Sequence, residues 1–240
     1  MSELWTPDRR AFLGVASKVG VGVAMSSAVD LASAQNKGGK AAKGKEDKDE
    51  DIGPTEDLMR EHGVLNRVLL IYDHFIGAIE RKQDFKPELV VSSAQIIRQF
   101  VEDYHERQEE QFLFPRFEKA HVLTDLVPVL KAQHQAGRKL TDRVIATASA
   151  KGGGDHAALA QWLRLFVRMY RPHEAREDTV LFPELHKIVS EHEFDALGEQ
   201  FENNEHKQFG ADGFELYRDK VASLEKQLGI YDLAQFTPAV

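Results

Sequence analysis

The sequence contains no cysteine among its 240 residues. That absence excludes a disulfide, a cysteine-ligated iron–sulfur cluster and a thiol nucleophile. A metal would therefore have to bind to imidazole and carboxylate groups, which the chain supplies as 10 His and 39 Asp plus Glu residues. An excess of basic residues is also missing, since the formal net charge is -8 at pH 7. Nucleic acid is accordingly not expected as a partner.

The N-terminal region has no apolar run long enough to span a bilayer. Its longest charge-free run, residues 19–29, has 11 residues, whereas a spanning helix needs about 20. Arg9 and Arg10 precede an Ala-Phe-Leu sequence, and an Ala-Ser-Ala sequence follows the Gly- and Ala-rich stretch. This order is similar to a bacterial twin-arginine export signal. We therefore predict a signal peptide over residues 1–34, a periplasmic or other extracytoplasmic location, and contact with the membrane only during export.

The next segment lacks large apolar side chains almost completely. Residues 35–53 read QNKGGKAAKGKEDKDEDIG, with basic residues first and acidic residues last. Such a composition cannot bury a core, so we predict a disordered charged linker. The folded domain is expected over residues 54–190, followed by a helical C-terminal extension over residues 191–240.

Strand signals are scarce after residue 53, whereas apolar residues recur at three- and four-residue steps. Asp155 follows a Gly-rich loop and is a candidate N-cap, and Pro172 predicts a kink or a restart inside the last helix. Four helices with short connections predict an all-α fold, an antiparallel up-down four-helix bundle with a short helical C-terminal appendage. The four predicted helices cover about residues 55–81, 87–119, 122–150 and 155–189.

One sequence motif occurs twice in the chain. YHERQEEQFLFP (104–115) and PHEAREDTVLFP (172–183) each contain a His, a Glu four residues later and then Leu-Phe-Pro. Four residues along a helix amount to about 40° of rotation and one turn, so each His and Glu share a face. A buried Glu is costly unless it is paired or coordinates a metal. We expect the helix-breaking Leu-Phe-Pro to shape an apolar wall around a site, with an ordinary kink and packing element as the alternative.

Two further histidines lie on apolar stripes, His62 in the first helix and His134 in the third. One such His is more often a hydrogen-bonded core residue, and one His-x-x-x-Glu is more often a surface pair. One inward His from every helix and two inward Glu in matching halves instead predict a metal site. The candidate ligands are His62, His105, Glu109, His134, His173 and Glu177.

The other histidines are expected outside this site. His74 is rotated about 120° from His62 on the first helix, and His206 is not expected to fold back as a ligand. Glu106 and Glu174 directly follow a candidate ligand and are expected to support the ligands or to lie at the surface. Solvent exposure is expected for His121, His156, His186 and His192.

This arrangement resembles the hemerythrin-like (HHE cation-binding) family over about residues 55–190. The resemblance implies a non-haem di-iron centre with an oxo or hydroxo bridge, in which the four histidines bind as imidazoles and Glu109 and Glu177 bridge the irons. Manganese and zinc stay open, because the donor types do not choose among these metals. The sequence departs from oxygen-carrying members at two places. Arg138 replaces a second His on the third helix, and Glu177 replaces an Asp five residues after its His. The resemblance then implies fewer protein ligands and more open positions than in an oxygen carrier.

These observations favour a metal-binding protein that binds or senses a small oxidant, namely dioxygen, nitric oxide or peroxide. A di-iron oxidase or peroxidase and a structural zinc-binding bundle are the alternatives, so catalysis is left open. A metalloprotease is disfavoured, because His-Glu-x-x-Glu lacks the second His of His-Glu-x-x-His.

Overall fold

The computed structural model describes residues 52–151, 154–210 and 212–239. The predicted signal peptide and almost all of the predicted linker, up to residue 51, lie outside these described residues. Within them, no helix is long and apolar enough to cross a membrane.

Four long helices form a bundle, and the described residues contain no strand. The short segments between consecutive helices make neighbours antiparallel, as predicted. The third helix starts five residues later than predicted. His121 and Leu123 adopt positive φ angles of 55° and 51°, which a helix cannot accommodate. The helices are α1 (Pro54–Glu80), α2 (87–120), α3 (Val127–Ala148) and α4 (156–188).

The starts of the helices follow from local chemistry. Pro54 opens α1 and Pro87 opens α2, where a missing backbone N–H costs nothing. The Asp155 side chain accepts hydrogen bonds from the backbone N–H groups of Ala157 and Ala158. The predicted N-cap of α4 is therefore confirmed.

The prolines do not interrupt α2 or α4. The helix break expected at Leu-Phe-Pro was therefore wrong, and of the two outcomes predicted at Pro172, a kink or a restart, the restart does not occur. After each repeated Glu, the helix widens for one turn into π-helix, over Glu109–Leu113 in α2 and Glu177–Leu181 in α4. α-Helix resumes directly before the proline. The wider turn, with its i→i+5 pattern, accommodates a residue that cannot donate a backbone hydrogen bond. A longer π segment, Ile97–His105, ends at the His of the first repeat.

Two further helices form the C-terminal extension and pack against α1 and α2. They are α5 (Glu191–Phe209) and α6 (Gly213–Leu228), and a 3₁₀ turn follows at Leu233–Phe236. Tyr217 and Val221 of α6 join the bundle core, so the appendage covers apolar surface on the first two helices.

The bundle core consists of two apolar clusters with a polar layer between them. One cluster extends towards the end where α1 finishes and includes Leu65, Phe100 and Tyr170. The other lies towards the end where α1 begins and includes Leu58, Leu130 and Leu181. Along every helix, the candidate ligands fall between members of the two clusters. Helical periodicity therefore places all of them in one buried layer.

Candidate metal centre

The structure brings the six candidate ligands together in this layer. Each of the four long helices contributes one His, and α2 and α4 each add a Glu one turn further along. All six are at most 4% exposed. The set comprises His62, His105, Glu109, His134, His173 and Glu177.

The ligand atoms form two groups of four that share both carboxylates. In each group, one donor atom from every residue lies within 4.8 Å of the others. The first group contains His62 and His105, the second contains His134 and His173, and Glu109 and Glu177 belong to both. Two carboxylates between two pairs of imidazoles are the arrangement that a dinuclear metal centre needs.

The separations between donor atoms suit a shared metal ion. Donors about 2.1 Å from a metal lie about 3.0 Å apart at 90° and about 3.4 Å apart at tetrahedral angles. The His173 Nε2 to Glu177 Oε1 distance is 3.1 Å, and the His62 Nε2 to Glu177 Oε2 distance is 3.4 Å. Nε2 of His134 lies 3.4 Å from Glu109 Oε2, and Nε2 of His105 lies 3.7 Å from the same oxygen.

The two carboxylates shared by both groups show whether these residues fit a metal. All four side-chain oxygens of Glu109 and Glu177 are buried without a hydrogen-bond partner among the described residues. An unpartnered buried carboxylate is strongly unfavourable unless a cation compensates it. The donor set therefore fits a pair of metal ions.

The two carboxyl groups differ in their electrostatic surroundings. Burial and the neighbouring Glu177 raise the pKa of Glu109 well above its usual value. Burial opposes ionisation of Glu177 as well, but His173 and His62 lower its pKa. Burial also disfavours a charge on His62, yet the nearby carboxyl groups of Asp178 and Glu177 raise its pKa to about 9. Glu177 is therefore the more readily ionised of the two carboxyl groups.

Each candidate imidazole is held through Nδ1 by a residue of another helix. Asp178 of α4 holds His62 at 2.7 Å, and Glu61 of α1 holds His105 at 2.6 Å. Glu110 of α2 holds His134 at 3.0 Å. Gln133 of α3 holds His173 at 2.9 Å. The four contacts close a ring around the bundle, because every helix orients the imidazole of one neighbour.

This ring fixes which imidazole nitrogen faces the carboxylates. When Nδ1–H donates to its partner, Nε2 is left with a free lone pair for a metal. Sequence reasoning missed all four partners, although each directly adjoins a candidate ligand in the chain. A neighbouring residue is rotated by about 100° on a helix, so it points towards the adjacent helix rather than into the centre. The acidic or amide residue next to a candidate ligand in the sequence was the signal that could have predicted each Nδ1 partner.

The Leu-Phe-Pro sequences supply aromatic contacts to the site. The Phe114 ring lies 5.5 Å from the His134 ring, and the Phe182 ring lies 5.7 Å from the His62 ring, measured between centroids. Both phenylalanines are at most 1% exposed. Each repeat therefore places an apolar ring against the histidine of a helix that carries no carboxylate ligand.

The glutamates that follow the repeated histidines are buried and hydrogen-bonded. Glu106 accepts a hydrogen bond from the Tyr170 hydroxyl at 2.6 Å and lies 2.8 Å from the Arg138 guanidinium. Burial raises the pKa of Glu106 well above its usual value. Glu174 accepts a hydrogen bond from Asn66 at 3.0 Å, and burial raises its pKa to about 7. Both side chains are at most 4% exposed, so the surface position that was one of the two expectations for them is wrong.

The remaining histidines lie away from the centre, in line with expectation. His74 is partly buried, and no residue of this set contributes to either four-residue group within the described part of the chain. The exposed members are His121, His156, His186, His192 and His206.

Comparisons with known proteins agree with this geometry. A family model described as the hemerythrin HHE cation-binding domain matches residues 53–153 and again residues 125–237. Uncharacterized proteins of Mycobacterium bovis and of two Mycobacterium tuberculosis strains are 52% identical over 187 residues, covering 77% of this chain and 73% of each relative. No solved structure matches the chain.

Proposed function

The chain belongs to the hemerythrin HHE cation-binding family, and from that membership we propose that it is a non-haem di-iron protein that binds or senses a small oxidant. The small oxidants that we expect to bind at this site are dioxygen, nitric oxide and peroxide. The irons occupy the two groups of donors, with Glu109 and Glu177 between them.

One observation carries this proposal: among the described residues, none of the four buried side-chain oxygens of the two shared glutamates has a hydrogen-bond partner. A single ion could occupy only one of the two groups of donors, whereas two ions between four imidazoles use the donors of both groups. Iron is favoured over zinc by the family, and the mixed imidazole and carboxylate donors accept it.

The protein residues prepare the site for such a metal pair. A bound iron pair supplies a redox couple and coordination positions for a small ligand. The Nδ1 partners hold each imidazole in the tautomer that presents Nε2. Phe114 and Phe182 exclude water from two of the imidazoles, and the flanking apolar clusters keep the layer dry. Such surroundings admit a small uncharged or weakly charged molecule more readily than an organic substrate.

The test uses the purified full-length protein loaded anaerobically with ferrous iron. We expect about two irons per chain and near-ultraviolet charge-transfer absorption that changes when dioxygen, nitric oxide or peroxide is added. The matched control is His74→Ala, which removes an imidazole outside the centre and should leave the spectrum unchanged. A featureless spectrum at full iron loading would contradict the proposal. Sustained turnover of peroxide or ferrous ion, lost in His105→Ala, would favour the oxidase or peroxidase alternative.

The proposal includes export across the bacterial membrane, supported by the paired arginines and the small-residue pattern near the N-terminus. In a bacterial host, Arg9→Lys together with Arg10→Lys should retain the protein in the cytoplasm. Equal amounts of variant and wild-type protein outside the cytoplasm would contradict this part of the proposal.

A further inference from the structure

The two metal positions of the proposed site have different surroundings, and the inference that follows rests on the proposed dinuclear function. Position 1 is defined by His62 and His105, and position 2 by His134 and His173. The bridging glutamates are common to both positions. Any difference between the positions must therefore come from the groups behind the imidazoles.

Both imidazoles of position 1 are backed by carboxyl groups. Asp178 lies 2.7 Å from Nδ1 of His62, and Glu61 lies 2.6 Å from Nδ1 of His105. Neither carboxyl group forms a salt bridge with an Arg or Lys among the described residues. A carboxylate that accepts the Nδ1 proton draws it away from the ring and makes Nε2 a stronger donor to a metal.

The imidazoles of position 2 have weaker hydrogen-bond acceptors at Nδ1 than those of position 1. The partner of His173 is the neutral amide oxygen of Gln133, at 2.9 Å. The partner of His134 is Glu110, but the Arg138 guanidinium also binds Glu110, at 2.8 Å. The guanidinium disperses the charge that would strengthen His134, and its own positive charge disfavours a nearby cation.

We propose that the two positions fill in order. Position 1 takes the first metal ion, and position 2 binds the second more weakly and exchanges it more readily. Arg138 and Gln133 set this difference as positioning residues.

The test is a zinc titration of the metal-free full-length protein against a chromophoric chelator, because zinc avoids redox chemistry. Changes in the groups that hydrogen-bond to metal ligands alter metal affinity by about 10- to 100-fold, so we expect two binding steps whose affinities differ by at least about 10-fold. Gln133→Glu should tighten the second step by about 10-fold and leave the first unchanged. The control is Gln135→Glu, which adds the same charge at an exposed position of α3 and should alter neither step.

A second readout identifies the position that fills first. Imidazole ¹⁵N NMR at one equivalent of zinc should show shifted Nε2 signals for His62 and His105. The signals of His134 and His173 should remain close to their metal-free positions. Asp178→Asn should weaken the first step without affecting the overall fold, which circular dichroism reports.

The outcomes separate this inference from the proposed function. Two equal steps, or first shifts at His134 and His173, overturn the order of filling and leave the dinuclear site intact. Fewer than two bound ions at saturation contradict the dinuclear site itself.

Discussion

Gly137 lies in the interior of α3, where an added methyl group would collide with Tyr170. An ideal Cβ at this glycine would overlap the Tyr170 hydroxyl oxygen and lie 2.8 Å from Cζ of the same ring. That hydroxyl donates the 2.6 Å hydrogen bond to Glu106 at the edge of the metal layer. Gly137→Ala should therefore displace the tyrosine and break a buried hydrogen bond.

The expected cost combines three effects. Overpacking a close-packed core costs about 1–3 kcal/mol. Loss of the buried hydrogen bond costs about 1–3 kcal/mol. Alanine in place of glycine stabilises a helix interior by about 0.5–1 kcal/mol. The net expectation is a loss of about 3 kcal/mol of unfolding free energy.

Urea unfolding of the metal-free full-length protein, followed by circular dichroism, measures this change. The matched control is Gly63→Ala in α1, because that glycine is exposed and an added Cβ would contact nothing within 4 Å. The control should gain about 0.5–1 kcal/mol. Two identical substitutions should thus shift stability in opposite directions.

A double-mutant cycle tests whether the collision with the Tyr170 hydroxyl causes the loss of stability in Gly137→Ala. Tyr170→Phe removes the hydroxyl, so Gly137→Ala should cost about 1–2 kcal/mol less in that background. Stabilisation by Gly137→Ala, or an equal cost in both backgrounds, would refute the collision with the hydroxyl.

Two further predictions concern carboxyl groups. Burial raises the pKa of Glu205 from 4.5 to about 7, so its stabilising contribution is complete below pH 4.5 and declines as pH rises through 7. Glu205→Gln should reduce the decline of unfolding free energy between pH 4.5 and 7. Urea unfolding at several pH values measures this decline. An unchanged pH dependence in the variant would contradict the prediction. Glu109→Leu replaces a buried carboxyl group without a partner and should stabilise the metal-free protein by about 1–4 kcal/mol while abolishing stabilisation by added metal. A destabilised metal-free variant, or retained metal stabilisation, would count against this reasoning.

The ligand layer could be predicted from the sequence because helical periodicity alone determines it. His62 and His134 stand at the spacing of their apolar neighbours, and the repeated His-x-x-x-Glu shares one face for the same reason. The bundle architecture follows from four such patterns with short connections. These features depend only on residues close together in the chain.

The Nδ1 partners depend on contacts between helices, which periodicity does not determine. Glu61 and Asp178 look like surface residues on their own helices, and only the packing of α1 against α4 and α2 directs them to histidines. The π turns were missed for a related reason. Pro115 and Pro183 predict a break when considered locally, but each helix continues through its proline after a wider π turn that ends two residues earlier.

The most direct test of a dinuclear centre is the number of metal ions bound per chain. Plasma mass spectrometry of the iron-loaded protein after gel filtration, with concentration from amino-acid analysis, gives that number. We predict two ions for the wild type and a clear loss for Glu109→Leu. One ion or fewer per wild-type chain at saturating iron would contradict the account.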